Sequence, residues 1–104
     1  MKYVYPAIFY EEIEGGYTVE FPDVEGALTQ GETLYDAMEM AEDSLAMAMI
    51  LYEDSLAGKV NPPLKNKITE PTSIDKINPV LSEYSKAAFV TLIKADTDAY
   101  RQSL

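Results

Sequence analysis

Tyr17-Thr18-Val19-Glu20-Phe21-Pro22-Asp23-Val24-Glu25-Gly26 is the stretch on which the fold of this chain turns. Tyr17, Val19 and Phe21 alternate with Thr18 and Glu20, the period of a half-buried antiparallel strand. Pro22, Asp23 and Gly26 then punctuate the chain before a short run, Ala27 to Gln30, closed by Gly31, which reads as another strand. Upstream, Lys2 to Tyr10 is rich in Tyr, Val, Ile and Phe with neither alternating face polar, so it predicts a strand buried on both faces. Pro6 inside that strand removes one ladder donor and belongs where the N–H would meet an edge or a bulge. Glu11 to Gly16, polar and ending in paired glycines, has the chemistry of a hairpin loop.

Downstream, Thr33 with Asp36 at the third following position is a variant capping box opening a long helix, which Gly58 ends just ahead of Pro62 and Pro63. At about 100° per residue, Leu34, Ala37, Met38, Ala41, Leu45, Ala48, Met49, Tyr52 and Leu56 form one core stripe. Asp36, Glu39, Glu42, Asp43, Glu53 and Asp54 collect on one flank. Met40, Met47 and Leu51 form a second apolar row on the other, suited either to the chain that follows or to a partner. From Lys59 to Ser85, prolines at 62, 63, 71 and 79 forbid long regular elements, so the sequence predicts an ordered wrap-around connection with a short turn at Val80 to Tyr84. Ala87 to Ile93 returns to apolar and β-branched residues, a fourth strand ending at Lys94. Asp96 or Thr97 can cap a terminal helical turn through Tyr100. The fold class is α+β: an antiparallel β-β-β-α-β layer with one long helix packed on the sheet.

The 104 residues suit one domain, and no apolar run approaches the roughly 20 residues that span a bilayer. With no signal-peptide pattern at the N-terminus, the expectation is a soluble cytoplasmic protein that does not engage membranes. Cysteine and histidine are both absent, which removes disulfides, thiolate nucleophiles and the commonest general base and metal ligand. The net charge is −10, and no basic residue occurs between Lys2 and Lys59, so residues 1 to 58 carry −12 and the remainder +2. Such a balance opposes intrinsic affinity for nucleic-acid phosphates. An acidic run is ordinarily a solvated face. Here the acidic half lacks ion pairs of its own, which points to an external compensator such as a basic protein surface. On the helix, Glu39, Glu42 and Asp43 head that surface, and Tyr35, off the core stripe toward the same flank, is the aromatic best placed at an interface.

With many carboxylates and neither His nor Cys, catalysis would require a carboxylate site, for which Asp23 and Glu25, in a turn near Asp36, are the best candidates. Acids two apart in a turn are ordinarily solvated or capping groups. Gly15-Gly16 lacks the Lys that meets a phosphate. The expectation is therefore a protein without catalytic residues, metal or cofactor.

The run Tyr17 to Gly26, followed by Thr29-Gln30-Gly31-Glu32-Thr33 and then Asp36-Ala37 in an Ala/Leu-rich helix, resembles the N-terminal domain of HicB-like antitoxins over roughly residues 2 to 94. Pro22 ends the strand, Gly26 and Gly31 permit tight turns and Thr33 caps the helix, so the shared residues are scaffold. The resemblance implies a partial RNase H-like fold without nuclease activity. Its implied partner is HicA, a small basic toxin with a double-stranded-RNA-binding-domain-like fold that cleaves mRNA through a histidine, which the antitoxin covers. The first strand carries no Asp of the kind a true RNase H-like enzyme needs for its metal.

By the same resemblance the loop acids Asp23 and Glu25, with Glu20, join Tyr35, Glu39, Glu42 and Asp43 as expected partner contacts. Residues 1–95 are expected to form the toxin-binding domain. Residues 96–104 are expected to be a tail or the start of a C-terminal operator-binding domain, and operator DNA is a partner only if such a domain exists beyond this chain. A homodimer or higher oligomer is expected as well. Two alternatives stay open: a partnerless regulatory or scaffold domain, and a divergent metal-dependent nuclease.

Overall fold

A computed structural model describes residues 1–59 and 68–104. Its strands are β1 (Lys2–Glu12), β2 (Tyr17–Glu20), β3 (Leu28–Gly31) and β4 (Ser85–Asp96), and its helices are α1 (Leu34–Leu56) and α2 (Thr97–Ser103). The strands form one antiparallel sheet in the order β3-β2-β1-β4 with α1 packed on one face, the α+β layer that the sequence predicts.

β1 is buried from Tyr5 to Phe9. Tyr5, Ala7 and Phe9 join the core with Ala37, Ala41, Leu45 and Met49 of α1, while Pro6 and Ile8 point to the other face and are buried too. β1 is a central strand, yet its pairing with β2 spans only Ile8 to Glu11. Beside Pro6 it therefore has one ladder neighbour, β4, instead of two, which is how a proline fits there. β4 is longer than its apolar run suggests because it pairs along the whole of β1, from Lys2↔Asp96 to Glu12↔Ser85, with one register shift at Glu11/Glu12. β3 starts and ends one residue later than expected. Phe21 leaves β2 at Pro22 but stays buried, with its N–H donated to the Ala27 carbonyl.

Two glycines have different reasons. Gly26 has φ +90°, a conformation that L side chains rarely adopt, in open space. Gly31 has no such backbone requirement: a Cβ there would lie 2.4 Å from the Ala37 backbone nitrogen, so its absence lets β3 abut the first turn of α1. The sequence reading of Gly31 as a turn residue is corrected to one of close approach.

Thr33 caps α1 by accepting from the Asp36 N–H at 3.0 Å, and Gly58, at φ +76°, follows the helix C-cap. Of the expected stripe, Ala37, Ala41, Leu45, Ala48, Met49 and Tyr52 are buried. Leu34, Met38 and Leu56 are not. Leu34 and Leu56 are the first and last residues of the helix. Ala46, which is not on the expected stripe, is buried as well and borders a groove that Tyr3, Ala95 and Tyr100 also line.

The connection is described from Ile68 onward; Pro62 and Pro63 lie outside the described residues. Ile68 packs on the core, the Tyr5 hydroxyl donates to the Thr69 carbonyl, and a 3-10 turn at Ile74–Lys76 packs against β4. At the far end Ile13 N–H donates to the Tyr84 carbonyl at 2.8 Å. The wrap-around path is thus seen over these residues. Most of residues 96–104 belong to α2, with the Asp96 side chain capping it by accepting from the Asp98 and Ala99 N–H groups and Thr97 fully buried.

Candidate functional site

Helical spacing puts Tyr35, Glu39, Glu42 and Asp43 on one exposed face of α1, with Tyr35 73% exposed. No described basic residue pairs with Glu39, Glu42 or Asp43. Glu42 and Asp43 edge a groove of about 640 Å³ toward β4 and α2, lined also by Tyr3, Lys94 and Tyr100. Asp43 also edges a second groove of about 610 Å³ on the β3 side, floored by Met40, Met47, Leu51 and Leu28, to which the loop after β2 contributes Glu25. α1 is therefore a ridge with acids on its crest and an apolar trough beside it. The second apolar row of the helix remains exposed among the described residues.

Two expected contact residues stand elsewhere. Asp23 is half-buried and accepts from the Thr72 N–H at 2.8 Å and its hydroxyl at 2.5 Å, so it fastens the long connection to the loop after β2. Glu20 accepts from the Tyr10 hydroxyl at 3.0 Å and shares its side of the sheet with Ile8, the face away from α1. The structure thus brings together Tyr35, Glu39, Glu42, Asp43 and, across the second groove, Glu25. Among the described residues no group of three or more carboxylates is gathered to hold a metal ion. No described helix is long and apolar enough to cross a membrane.

A polar cluster that the sequence reading missed lies at the C-terminal end of α1. Glu53 accepts from the Tyr3 hydroxyl at 2.6 Å, the Thr97 hydroxyl at 2.8 Å and Arg101 at 3.2 Å, and Arg101 also meets Asp54 at 2.8 Å. Burial opposes the charge on Glu53, but these three donors outweigh it and hold its carboxyl below the usual range. Burial and the adjacent carboxylate push the Tyr3 phenol up. The acidic half thus does receive ion pairs, from cations of the second half, at Glu53, Asp54 and Glu11. The available signal was Arg101, the chain's sole arginine, five residues after the acid Asp96 that caps a helix.

No protein-family model matches the chain. Antitoxin HicB of Escherichia coli (strain K12) is 50% identical to it over 48 residues, 46% of this chain and 35% of that protein. Antitoxin HicB 1 of Photorhabdus laumondii subsp. laumondii is also 50% identical over 48 residues, 31% of its length. Each match leaves most of the relative's own length outside it. Among solved structures, a chain of a toxin-antitoxin complex from Streptococcus pneumoniae superposes with TM-score 0.71 at 22% identity, covering 96% of this chain and 73% of that one. A chain of the HicA3 and HicB3 toxin-antitoxin complex does so with TM-score 0.58 at 22% identity, covering 90% and 99%. In sequence and in fold, the chain is HicB-like.

Proposed function

We propose that this chain is a cytoplasmic, non-enzymatic antitoxin that binds a small basic HicA-type RNA-cleaving toxin and occludes its RNA-facing surface. The observation that carries this reading is the crest of α1, where Glu39, Glu42 and Asp43 stand exposed with no described cation against them. Like charges at three- and four-residue spacing on a helix cost about 0.2–0.5 kcal/mol per pair. A cationic surface offsets that cost, and a toxin built to hold phosphates presents one. Tyr35 and the methionine-floored trough supply the apolar contact that charge alone lacks. Glu25 reaches this surface; Asp23 supports its loop from behind, and Glu20 lies on the far face. Residues 1–95 are the toxin-binding unit in this reading, with α2 packed against it, and operator binding would belong to a domain beyond Leu104.

The test is co-purification with a small basic HicA-type protein, followed by an RNA-cleavage assay of that protein with and without this chain. Tight association with cleavage suppressed supports the reading. Association that survives Glu39→Lys, Glu42→Lys and Asp43→Lys together, with unchanged salt dependence, moves the interface off α1. Failure to associate at moderate salt leaves a partnerless regulatory domain as the better account.

A further inference from the structure

The chain has no cysteine, so its only oxidisable sulfurs are the thioethers of its five methionines. They are not placed alike. Met49 is fully buried in the core. Met1 and Met38 are exposed, but neither lines the trough on the β3 side of α1. Met40 and Met47, 44% and 56% exposed, do line it, together with Leu51 and Leu28. Seven residues apart, they lie above one another on the same side of the helix, about two turns apart. We propose that Met40 and Met47 are a peroxide-sensitive modification site. Oxidation to the sulfoxides turns the trough polar and lowers the affinity of the chain for the basic partner proposed above, on whose docking at α1 this inference rests.

The chemistry needs only a hydroperoxide and access to sulfur. The thioether lone pair attacks one oxygen of hydrogen peroxide, and an S–O bond forms as the O–O bond breaks. The sulfur is oxidised by two electrons, and the proton on the transferred oxygen passes to the departing hydroxide, giving sulfoxide and water. A thiol-dependent reductase returns the thioether, so the change is reversible. The sulfoxide oxygen is a strong acceptor where the thioether was nearly apolar, and a partner that covers the trough must leave that oxygen without water. Charge on the crest is untouched by this step, because Glu39, Glu42 and Asp43 do not react with peroxide. The site thus alters the apolar half of the surface while the acidic half stays as it is. Leu51 and Leu28 fill the same trough with side chains that peroxide leaves unchanged, so thioethers are not required there for packing alone.

The experiment treats the folded full chain with hydrogen peroxide and follows each methionine by peptide mass spectrometry, with circular dichroism to confirm folding. Met40 and Met47 are expected to gain oxygen while Met49 does not; oxidation of Met49 ahead of them overturns the proposal. Titration calorimetry with a small basic HicA-type protein is expected to show affinity about tenfold weaker after treatment. The double variant Met40→Leu and Met47→Leu should bind like the untreated wild type and lose the peroxide sensitivity, although its Met1 and Met38 are still oxidised. Unchanged affinity of the oxidised wild type, or an equal loss in the leucine variant, overturns the proposal. If the untreated chain binds no such protein, the toxin-binding reading fails by itself, and the neutral dye Nile red then reports on the trough without a partner. Its fluorescence should fall on oxidation of the wild type and persist in the leucine variant. Dye binding that is absent, or the same before and after treatment, overturns the site equally.

Discussion

The Tyr3 hydroxyl donates to the Glu53 carboxylate at 2.6 Å, tying the first strand to the last turns of α1 across a separation of 50 residues in sequence. The same carboxylate receives Thr97 and Arg101, so one side chain joins β1, α1 and α2. Its side chain is only 16% exposed, and removing it leaves three donors to find other partners.

Glu53→Ala is therefore expected to lower unfolding stability by about 3 kcal/mol, and Glu53→Gln by less, as read from urea denaturation midpoints. A conformer in which α2 stays docked, with stability unchanged, would show that the cluster is ornamental to the fold.

The same residue sets a pH dependence. The folded-state pKa of Glu53 is lowered from its ordinary 4.5, so its contribution is fully present above that value. Below it the unfolded chain binds the proton first, and the contribution is lost as the pH falls through the lower, folded value. Asp54 and Asp98, lowered by Arg101 and by the Met1 ammonium respectively, act in the same direction. Urea midpoints measured from neutral pH down through the carboxylate range should fall for wild type and fall less steeply for Glu53→Gln.

Asp23→Ala removes the acceptor of both Thr72 hydrogen bonds. The expected result is a loss of about 1–3 kcal/mol with faster proteolysis or amide exchange in residues 68–76, measured by limited digestion or mass spectrometry.

Gly31→Ala should be far worse than Gly26→Ala. At Gly31 the added methyl meets backbone atoms of Ala37 at 2.4 and 2.6 Å and cannot be accommodated by a rotamer change, so about 3 kcal/mol is expected. At Gly26 the space is open and the left-handed backbone alone costs about 1–2 kcal/mol. Paired thermal melts decide between them.

Neutralising the α1 crest with Glu39→Gln, Glu42→Gln and Asp43→Asn should raise stability by roughly 0.5 kcal/mol while weakening binding of a basic toxin at least several-fold. Opposite signs in melting and in titration calorimetry are the signature of residues kept for a partner. A loss in both would make the crest structural.

Much of the fold was legible because local chemistry and tertiary pairing agree there. Thr33 and Gly58 bound α1, and Tyr17 to Glu20 alternates as a strand should. The reading erred where a residue's role depends on something distant in sequence. Leu34 and Leu56 fit the core stripe by angle, yet stay exposed as the first and last residues of α1; Ala46 lies outside that stripe, yet is buried where α1 borders the groove that Tyr3 and Tyr100 also line. Asp23 and Glu25 are both turn acids by sequence, and only the return of the chain at Thr72 separates a fastening from a surface charge. Charge patterning located the α1 crest because like charges on a helix face are a local property. Glu53 resembled its neighbours until α2 supplied Arg101.

The pairing of Lys2 with Asp96 sets an order on synthesis. β1 leaves the ribosome well before its long partner β4, with β2, β3 and α1 made between them. Until residues near 90 emerge, the apolar stretch from Tyr5 to Phe9 has only the short β2 ladder beside it. The nascent chain can form its hairpin and helix early, but the sheet closes only once β4 has emerged, so folding speed depends on a pairing between strands far apart in sequence. Truncation before Ile93 should consequently yield an open, association-prone species instead of a slightly smaller domain.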